Sequence, residues 1–349
     1  MVSLTEKKTA YLFLVLPLVC VGFILFTIGY LVVSSFTSGG TFVGFQNFTR
    51  LFTDDPYFWP ALWHNIFWMI WAVVVPIGIG LVFAILLSRN IRGERIFKGV
   101  VYFPALLAGA TIGVIWNWFY LPEDYGVLNS ILGKLGLSSL ANPNKLWINV
   151  PSSPVPFLWL VTIPILMISI GLMVLSFRPK ISKFSFVGIC VGLGAVFPLV
   201  LHFTGMVSTS LISILLASSW AGSAISMVMF LAGMQSIPRS QLEAAKMDGA
   251  SEAQTLRHVI LPALKPIFII LIILSAISSM KAFDIVYTLA GAEGGAGHHA
   301  ADVLALYTYR ELKVGDYGYA STIGLVGILV TMIPVIIYLM WIRRREAEE

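Results

Sequence analysis

Two charged side chains, Lys281 and Asp284, lie in a run of residues that is otherwise mostly Ile, Leu, Ser and Ala. In a helix that continues through this run, a spacing of three residues places both on one face, next to Ser278 and Ser279. Ionisable groups at membrane depth usually face a bundle interior or a water-filled path. The pattern predicts that Lys281 and Asp284 line a solute route. An internal ion pair that satisfies only itself is the alternative.

The sequence contains no pattern that is typical of an enzyme active site. The glycine-rich run at 291–297 has no Lys-Ser or Lys-Thr after it and no strand before it, so it does not predict a phosphate-binding loop. No Gly-x-Ser-x-Gly and no His-Glu-x-x-His occurs. The adjacent His298 and His299 lack the second pair of ligands that a zinc site needs. We therefore predict no catalytic residue, metal or cofactor in this chain.

The composition indicates an all-α integral membrane protein. Hydrophobic residues make up 58% of the 349 residues, charged residues only 11%, and the mean hydropathy is +0.89. The net charge of +5 could suggest nucleic acid, but the basic residues are scattered and no zinc or helix-turn-helix pattern accompanies them. Cys20 and Cys190 both lie in apolar stretches, so we expect small buried side chains and no disulfide.

Eight segments are long and apolar enough to cross about 30 Å of hydrocarbon as helices. They cover residues 10–34, 63–88, 99–121, 156–177, 184–204, 208–234, 266–290 and 317–342. The first follows Lys7 and Lys8 and lacks a small-residue cleavage site, so we predict a retained helix. With alternating connections, sixteen of the 22 Lys and Arg residues fall on one side and five on the other. This bias predicts a multi-pass protein of the cytoplasmic (inner) membrane with both termini in the cytoplasm.

A polar stretch on the predicted cytoplasmic side has the signals of two short helices. Glu243 and the two alanines after it favour a helix, and Gly249 stands where a helix end requires a left-handed residue. Ser251 and Gln254 have the spacing of a capping box, so a second helix can begin at once. It should continue until Pro262 and Pro266 interrupt it. The pattern predicts a rigid protrusion outside the bilayer.

This stretch resembles the EAA loop of binding-protein-dependent ABC importer permeases. The matching positions are Glu243, Ala244, Ala245, Gly249, Val259, Leu261 and Pro262, with Val259 replacing the usual isoleucine. The resemblance implies that the loop binds an ATP-hydrolysing subunit, which supplies the ATP and Mg site that this chain lacks. The residues to which we assign coupling are Glu243, Ala244, Ala245, Asp248, Gly249, Leu261 and Pro262.

Further motifs occur in the order seen in carbohydrate permeases similar to the larger maltose-permease subunit and the glycerol-phosphate permease. They are Phe42-Val-Gly-Phe-Gln-Asn-Phe48, Tyr102-Phe-Pro104, Ile115-Trp-Asn-Trp118, Gly126-Val-Leu-Asn129, Phe283-Asp-Ile-Val-Tyr-Thr-Leu289, Leu306-Tyr-Thr-Tyr-Arg310 and Tyr317-Gly-Tyr-Ala320. The resemblance implies a sugar substrate, a second permease subunit, two ATP-binding subunits and an extracytoplasmic solute-binding protein. Glycerol phosphate is the alternative solute, because Lys281 could balance an anion.

The same resemblance implies a solute site near the middle of the membrane. The positions that match its sugar contacts are Ser218, Gly222, Ile225, Ser279, Ala282, Ala105 and Gly109. Together with Lys281 and Asp284 they form the predicted substrate path. The small polar residues between 218 and 226 have a second explanation, since such residues also allow close packing of helices in lipid.

The domain organisation follows from these segments. We predict an N-terminal membrane helix and outer loop at 1–62, core permease helices at 63–149, an extra membrane hairpin at 150–207, core helices with the coupling loop 235–265 at 208–342, and a cytoplasmic tail at 343–349. An ion-driven carrier would predict internal symmetry and discontinuous helices, and the sequence indicates neither. A membrane-embedded enzyme would require convergent catalytic groups, for which only one ion pair is available.

Overall fold

The computed structural model describes residues 4–88, 93–121, 125–136, 208–295 and 299–346. These residues are helical apart from turns and one short antiparallel hairpin, β1 (Thr37–Ser38) with β2 (Thr41–Phe42). The predicted spans 156–177 and 184–204, and with them the extra hairpin 150–207, lie outside the described residues. The domain boundaries remain a prediction.

Fourteen α-helices, with two π-helical segments and one 3-10 turn, make up the rest of the described regular structure. They are α1 (Leu4–Ser35), α2 (Gln46–Thr49), the π segment Arg50–Asp54, α3 (Phe58–Leu87), α4 (Glu94–Tyr102), the 3-10 turn Phe103–Leu106, α5 (Gly109–Tyr120), α6 (Val127–Lys134), α7 (Thr209–Gln235), α8 (Arg239–Met247), α9 (Glu252–Thr255), the π segment Leu256–Ile260, α10 (Leu261–Ala263), α11 (Lys265–Met280), α12 (Asp284–Ala290), α13 (Leu304–Val314) and α14 (Tyr317–Glu346).

Four described helices are long and apolar enough to cross a membrane without interruption. They contain Pro17–Ser35, Phe58–Leu87, Ser210–Gln235 and Tyr317–Ile337, and so confirm four of the predicted spans. Two bent pairs of helices are together long and apolar enough to be further spans: Arg95–Leu106 with Gly109–Tyr120 turns by 105°, and Leu256–Ala263 with Lys265–Met280 turns by 52°. The described residues therefore hold up to six spans. The segment predicted at 99–121 is thus bent, because the chain leaves the helical path around Leu107 and Ala108.

The prediction of one continuous helix over 266–290 is wrong. Helix α11 ends at Met280 and α12 begins at Asp284, so Lys281 and Asp284 do not share one helical face. The carbonyl oxygen of Ser279 accepts a hydrogen bond from the side chain of Asn65 at 2.8 Å. The Phe283 N–H, which a continuing helix would direct to Ser279, bonds instead to the Lys281 carbonyl at 2.7 Å. Discontinuous helices, which the sequence did not indicate, are therefore present.

The chain divides into two compact units, and the first comprises Met1–Trp59 and Tyr307–Ile333. Buried Asn47 holds the C-terminal end of α1 by donating from its side-chain amide to the carbonyls of Ser35 at 3.0 Å and Thr37 at 2.9 Å. The hydroxyl of Thr322 donates to the same Ser35 carbonyl at 3.1 Å. Cys20 on α1 is free and exposed, and not buried as predicted, because much of the apolar surface of α1 is exposed. Cys190 lies outside the described residues.

The second unit comprises Pro60–Leu306 and Pro334–Glu349. Its main hydrophobic cluster, called here the core cluster, joins α3, α7 and α11. Its members are Ile77, Leu81, Ala84, Leu87, Met227, Phe230, Leu231, Leu264 and Leu271. Helix α3 approaches α7 closely at Gly80, where an added Cβ would lie 2.4 Å from the Cβ of Ser226 and 2.8 Å from the Ser223 carbonyl oxygen.

This close approach predicts that Gly80→Ala destabilises the unit by about 1–3 kcal/mol, because backbone on the facing helix cannot yield to a new methyl group. Gly78→Ala is the matched control, since no heavy atom lies within 4 Å of a Cβ at Gly78 on the same helix. Thermal unfolding of the purified protein in detergent measures both variants. Equal unfolding temperatures for the two alanine variants would contradict the packing of α3 on α7.

Candidate functional site

The predicted coupling loop begins with α8, which follows Pro238 and has no buried residue. The side chain of Met247 at its end is 87% exposed. Glu243, Ala244, Asp248 and Gly249 are also exposed, whereas Ala245 is partly covered. This polar nine-residue helix has no buried residue among those that the structure describes, so most of its surface is accessible to a partner.

The end of α8 is a Schellman turn. The Ala250 N–H donates to the Ala245 carbonyl at 2.9 Å, and the Gly249 N–H donates to the Lys246 carbonyl at 3.1 Å. Gly249 has φ +74°, a left-handed conformation that side chains with a Cβ adopt at a cost. The structure confirms the helix end and glycine turn predicted from the sequence.

The next helical segment starts with the predicted capping box. The Ser251 N–H donates to the Gln254 side-chain oxygen at 2.7 Å, and the Gln254 N–H donates to the Ser251 hydroxyl at 3.4 Å. Helical structure continues through the π segment Leu256–Ile260 and α10 to Ala263. The π turn was not predicted. It lies immediately before Pro262, which has no N–H and already interrupts the regular pattern.

The base of the coupling loop is fixed to the membrane helices. Ile260 and Leu261 pack against the core cluster, and Leu264 belongs to it. Helix α7 approaches the start of α11 closely at Gly233, where an added Cβ would lie 2.8 Å from Leu264 Cδ2 and 2.9 Å from Ile267 Cγ1. Leu261 is therefore at the attachment of the loop, while the exposed Pro262 points away from it. The base of the loop is therefore packed against the α7 and α11 spans.

Lys281 and Asp284 lie on either side of the break between α11 and α12. Lys281 is the C-terminal cap of α11, Asp284 is the first residue of α12, and both are exposed in this chain. No ion pair joins these two side chains in the part of the chain that the structure describes. The structure thus brings them near the same break but not onto one helix. Their role in the solute path stays a prediction.

Gly109 and Asp284 are the predicted path residues that the structure brings into direct contact. A Cβ on Gly109 would lie 3.4 Å from the Cβ of Asp284, and one on Gly113 would lie 2.7 Å from the Cβ of Thr288. Helices α5 and α12 therefore pack through two glycines, of which sequence reasoning missed Gly113. The signal that could have found it is the spacing of two glycines four residues apart, which is typical of close helix contacts in membranes.

The small residues of α7 serve mainly in helix packing. The Ser219 hydroxyl accepts a hydrogen bond from the Trp71 indole at 2.7 Å, and a Cβ on Gly222 would lie 3.1 Å from Pro76. Ser218 donates to the Leu215 carbonyl at 2.9 Å and is partly exposed. Ile225 is 45% exposed on the same side as Ser218. The packing explanation for this segment accounts for Gly222 and Ser219, and leaves Ser218 and Ile225 accessible.

The remaining predicted path residues differ in their surroundings. Ser279 is fully buried, and its hydroxyl donates to the Ala276 carbonyl at 2.8 Å. Ala282 lies within the break, and Ala105 lies in the 3-10 turn that precedes α5; both are partly exposed. The side chain of Ser279 therefore faces the interior of this chain, whereas Ala105 and Ala282 retain surface.

Asn65 is a residue that sequence reasoning did not select. Its buried carboxamide donates to the Ser279 carbonyl at 2.8 Å and accepts from the Leu304 N–H at 2.8 Å. The neighbouring His64 places Nδ1 2.7 Å from the Asp302 carbonyl oxygen. The available signal was the adjacent pair of polar residues in the first turns of an apolar span, where each polar group requires a partner.

Comparisons with known proteins agree with this architecture. A family model described as a binding-protein-dependent transport system inner membrane component matches residues 155–346. The sulfoquinovosyl glycerol transport system permease protein SmoG of Agrobacterium fabrum is 28% identical over 317 residues, which cover 89% of this chain and 81% of that protein. The trehalose/maltose transport system permease protein MalF of Thermococcus litoralis is 27% identical over 342 residues, covering 96% and 93%.

A solved structure has the same fold. A chain of a bacterial ABC transporter involved in the import of the acidic polysaccharide alginate superposes with a TM-score of 0.66 at 17% sequence identity. The superposition covers 97% of this chain and 96% of that one. The two chains therefore share one fold over nearly their whole lengths.

Proposed function

The chain belongs to the family of binding-protein-dependent transport system inner membrane components, and we propose that it is the permease subunit of an ATP-driven importer that translocates a carbohydrate by alternating access. The family makes it a multi-pass membrane permease of an ABC importer. The observation that carries the proposed mechanism is the coupling loop, whose α8 has no buried residue while the base of the loop packs into the core cluster. Such a loop requires an external partner and a mechanical output.

The partner of the coupling loop is a pair of ATP-binding subunits, which hold the ATP and Mg. Their closure and separation push on α8, and the rigid turn at Gly249 passes this displacement to the second helical segment. Leu261 and Leu264 then carry it into α7 and α11. Because these packed helices have discrete arrangements, the displacement shifts the balance between inward-open and outward-open states. Both termini lie in the cytoplasm in this proposal.

The solute in this proposal is a carbohydrate. Relatives include permease proteins for sulfoquinovosyl glycerol, arabinooligosaccharides and trehalose/maltose, and each of these solutes contains a sugar unit. A second permease subunit completes the path, and an extracytoplasmic solute-binding protein delivers the sugar on the outer side. The membrane lipid contacts the exposed apolar surface of the spans. All the predicted path residues except the buried Ser279 keep some exposed surface, and Ile225, Lys281 and Asp284 are the exposed ones among them.

An anionic solute such as glycerol phosphate is the second candidate, and Lys281 favours it. Its ammonium group is exposed and is not neutralised by Asp284 among the described residues. A cation in this position would attract a phosphate or a carboxylate, while a neutral sugar would gain little from it.

Reconstituted transport tests the proposed function. Proteoliposomes that hold the complete importer, with its binding protein outside and ATP inside, should accumulate one or more radiolabelled sugars from a panel of mono- and oligosaccharides. Omission of ATP should stop uptake. Uptake driven by a proton or sodium gradient without an ATP-binding subunit would reject the importer and support an ion-driven carrier.

Replacement of Lys281 separates the two kinds of solute. Lys281→Met should lower the affinity for an anionic solute about fivefold, since a partly solvated charge pair contributes about 1 kcal/mol, and leave a neutral sugar unaffected. Lys134→Met on the outer helix α6 is the control, because Lys134 is also an exposed lysine but lies outside the predicted path. The half-saturation concentration of uptake measures the effect. An equal change for both variants would remove Lys281 from the path.

A further inference from the structure

The break between α11 and α12 has no cause in the local sequence. Residues 267–290 contain neither proline nor glycine. Met280, Lys281 and Ala282 are all compatible with a helix. The Ser279 hydroxyl donates to the Ala276 carbonyl at 2.8 Å within α11, an interaction that bends a helix slightly but does not end it. A sharp break arises where a side chain or a water molecule inserts into the main-chain hydrogen-bond ladder. The cause must therefore lie elsewhere in the fold.

Asn65 inserts at this point of the ladder. Its Nδ2 donates to the Ser279 carbonyl at 2.8 Å, the acceptor that the Phe283 N–H would use in a continuous helix. The Phe283 N–H is diverted to the Lys281 carbonyl at 2.7 Å, which closes a tight turn. One carboxamide thus replaces the helical hydrogen bond that would have joined α11 to α12.

The second half of the same carboxamide fixes its orientation. Asn65 Oδ1 accepts from the Leu304 N–H at 2.8 Å, so the oxygen and nitrogen each have a partner of the correct type. The side chain is fully buried. Asn65 therefore links α3, the end of α11 and the start of α13.

We propose that Asn65 is a positioning residue of the solute path: its carboxamide interrupts α11 and thereby sets where Lys281 and Asp284 stand. This inference rests on the proposed function in so far as those two residues face the solute. Without the carboxamide, the Ser279 carbonyl is free to accept from Phe283 and the helix extends. Asp284 then rotates with α12 and leaves its contact with Gly109.

A cysteine pair reports the position of α12 directly. The Cβ positions of residues 109 and 284 are 3.4 Å apart, close to the separation that a disulfide requires. Gly109→Cys with Asp284→Cys, in a chain whose Cys20 and Cys190 are replaced by serine, should crosslink rapidly under mild oxidation. Adding Asn65→Leu should slow the crosslink at least about tenfold. Leucine is nearly isosteric with asparagine but makes no hydrogen bond.

Asn47→Leu is the matched control. Asn47, which lies in the other unit, is also a buried asparagine. Its side-chain amide donates to two main-chain carbonyls, at 3.0 and 2.9 Å. It should lower the unfolding temperature as Asn65→Leu does, yet leave the 109–284 crosslink rate unchanged. In chains with native Gly109 and Asp284, Asn65→Leu should also raise the half-saturation concentration of solute uptake at least about fivefold. A general loss of stability does not raise this concentration.

The outcomes separate this inference from the proposed function. If Asn65→Leu crosslinks as fast as the Asn47→Leu control, Asn65 does not position α12 and the inference is overturned. A slow crosslink, together with no sugar transport by the complex that has native Asn65, Gly109 and Asp284, would support the positioning role and reject the function. Asn65→Ala serves as a second variant with less bulk. If neither Asn65 variant assembles while Asn47→Leu does, Asn65 is a folding residue and the inference also fails.

Discussion

Replacing Gly249 by valine is expected to lower solute uptake about 5- to 30-fold while the permease still inserts and assembles. Gly249 has φ +74°, and a β-branched residue in this conformation costs about 1–2 kcal/mol. No heavy atom lies within 4 Å of a Cβ at this position, so the cost is conformational strain and not a collision. The strain disfavours the turn that joins α8 to the segment packed on the core cluster. We expect the coupling of ATP hydrolysis to transport to weaken by the same free energy.

Gly249→Asn is the matched control, because asparagine tolerates the left-handed region far better than valine. Its uptake should remain close to that of the parent protein. Uptake and ATP hydrolysis are measured on the same proteoliposomes. We expect the valine variant to hydrolyse ATP with little solute movement. Equal uptake by the valine and asparagine variants would show that the turn does not transmit motion, and the coupling assignment would be wrong.

The coupling loop could be predicted in detail because its signals are local. Gly249 requires a left-handed conformation, and the Ser251 and Gln254 side chains satisfy main-chain groups within three residues. These interactions do not depend on the rest of the fold. The uninterrupted spans could be predicted for a similar reason, since length and apolar composition alone determine whether a helix can cross a bilayer.

The break at Lys281 could not be predicted, because the group that causes it is distant in sequence. Asn65 and Ser279 are 214 residues apart, and nothing within a turn of Ser279 indicates a helix end. A periodicity argument therefore extends α11 through the break and puts Lys281 and Asp284 on one face. Where a tertiary hydrogen bond breaks a helix, the local sequence does not indicate how the residues beside the break are oriented, and Lys281 and Asp284 are such residues.

The small residues of the spans show the same limit in another form. Gly222 and Gly109 were both predicted path residues, but each also approaches another helix closely, at Pro76 and Asp284 respectively. A glycine in a membrane helix can open a cavity or let two helices touch, and its sequence surroundings do not distinguish the two uses. The structure shows the contact on one side of each glycine and leaves any solute contact to the opposite side.

The first unit contains a polar group that holds three helices at their ends. The carboxylate of Asp55 accepts from the N–H groups of Tyr57 at 2.7 Å and Phe58 at 3.0 Å, which caps α3. It also accepts from the hydroxyls of Tyr307 on α13 and Tyr319 on α14. Burial and the hydrogen bond to Asp55 raise the pKa of Tyr307, so its hydroxyl remains a donor at any physiological pH.

Asp55→Ala is expected to destabilise this unit by about 2–4 kcal/mol, because four hydrogen bonds to one carboxylate are lost and two tyrosine hydroxyls lose their partner. Asp54→Ala is the control. Asp54 is the adjacent aspartate, and its exposed carboxylate accepts only from the Thr53 hydroxyl among the described contacts, so its loss should change stability by less than about 0.5 kcal/mol. Thermal unfolding in detergent compares the two variants. If both unfold at the same temperature, Asp55 does not join α3 to α13 and α14.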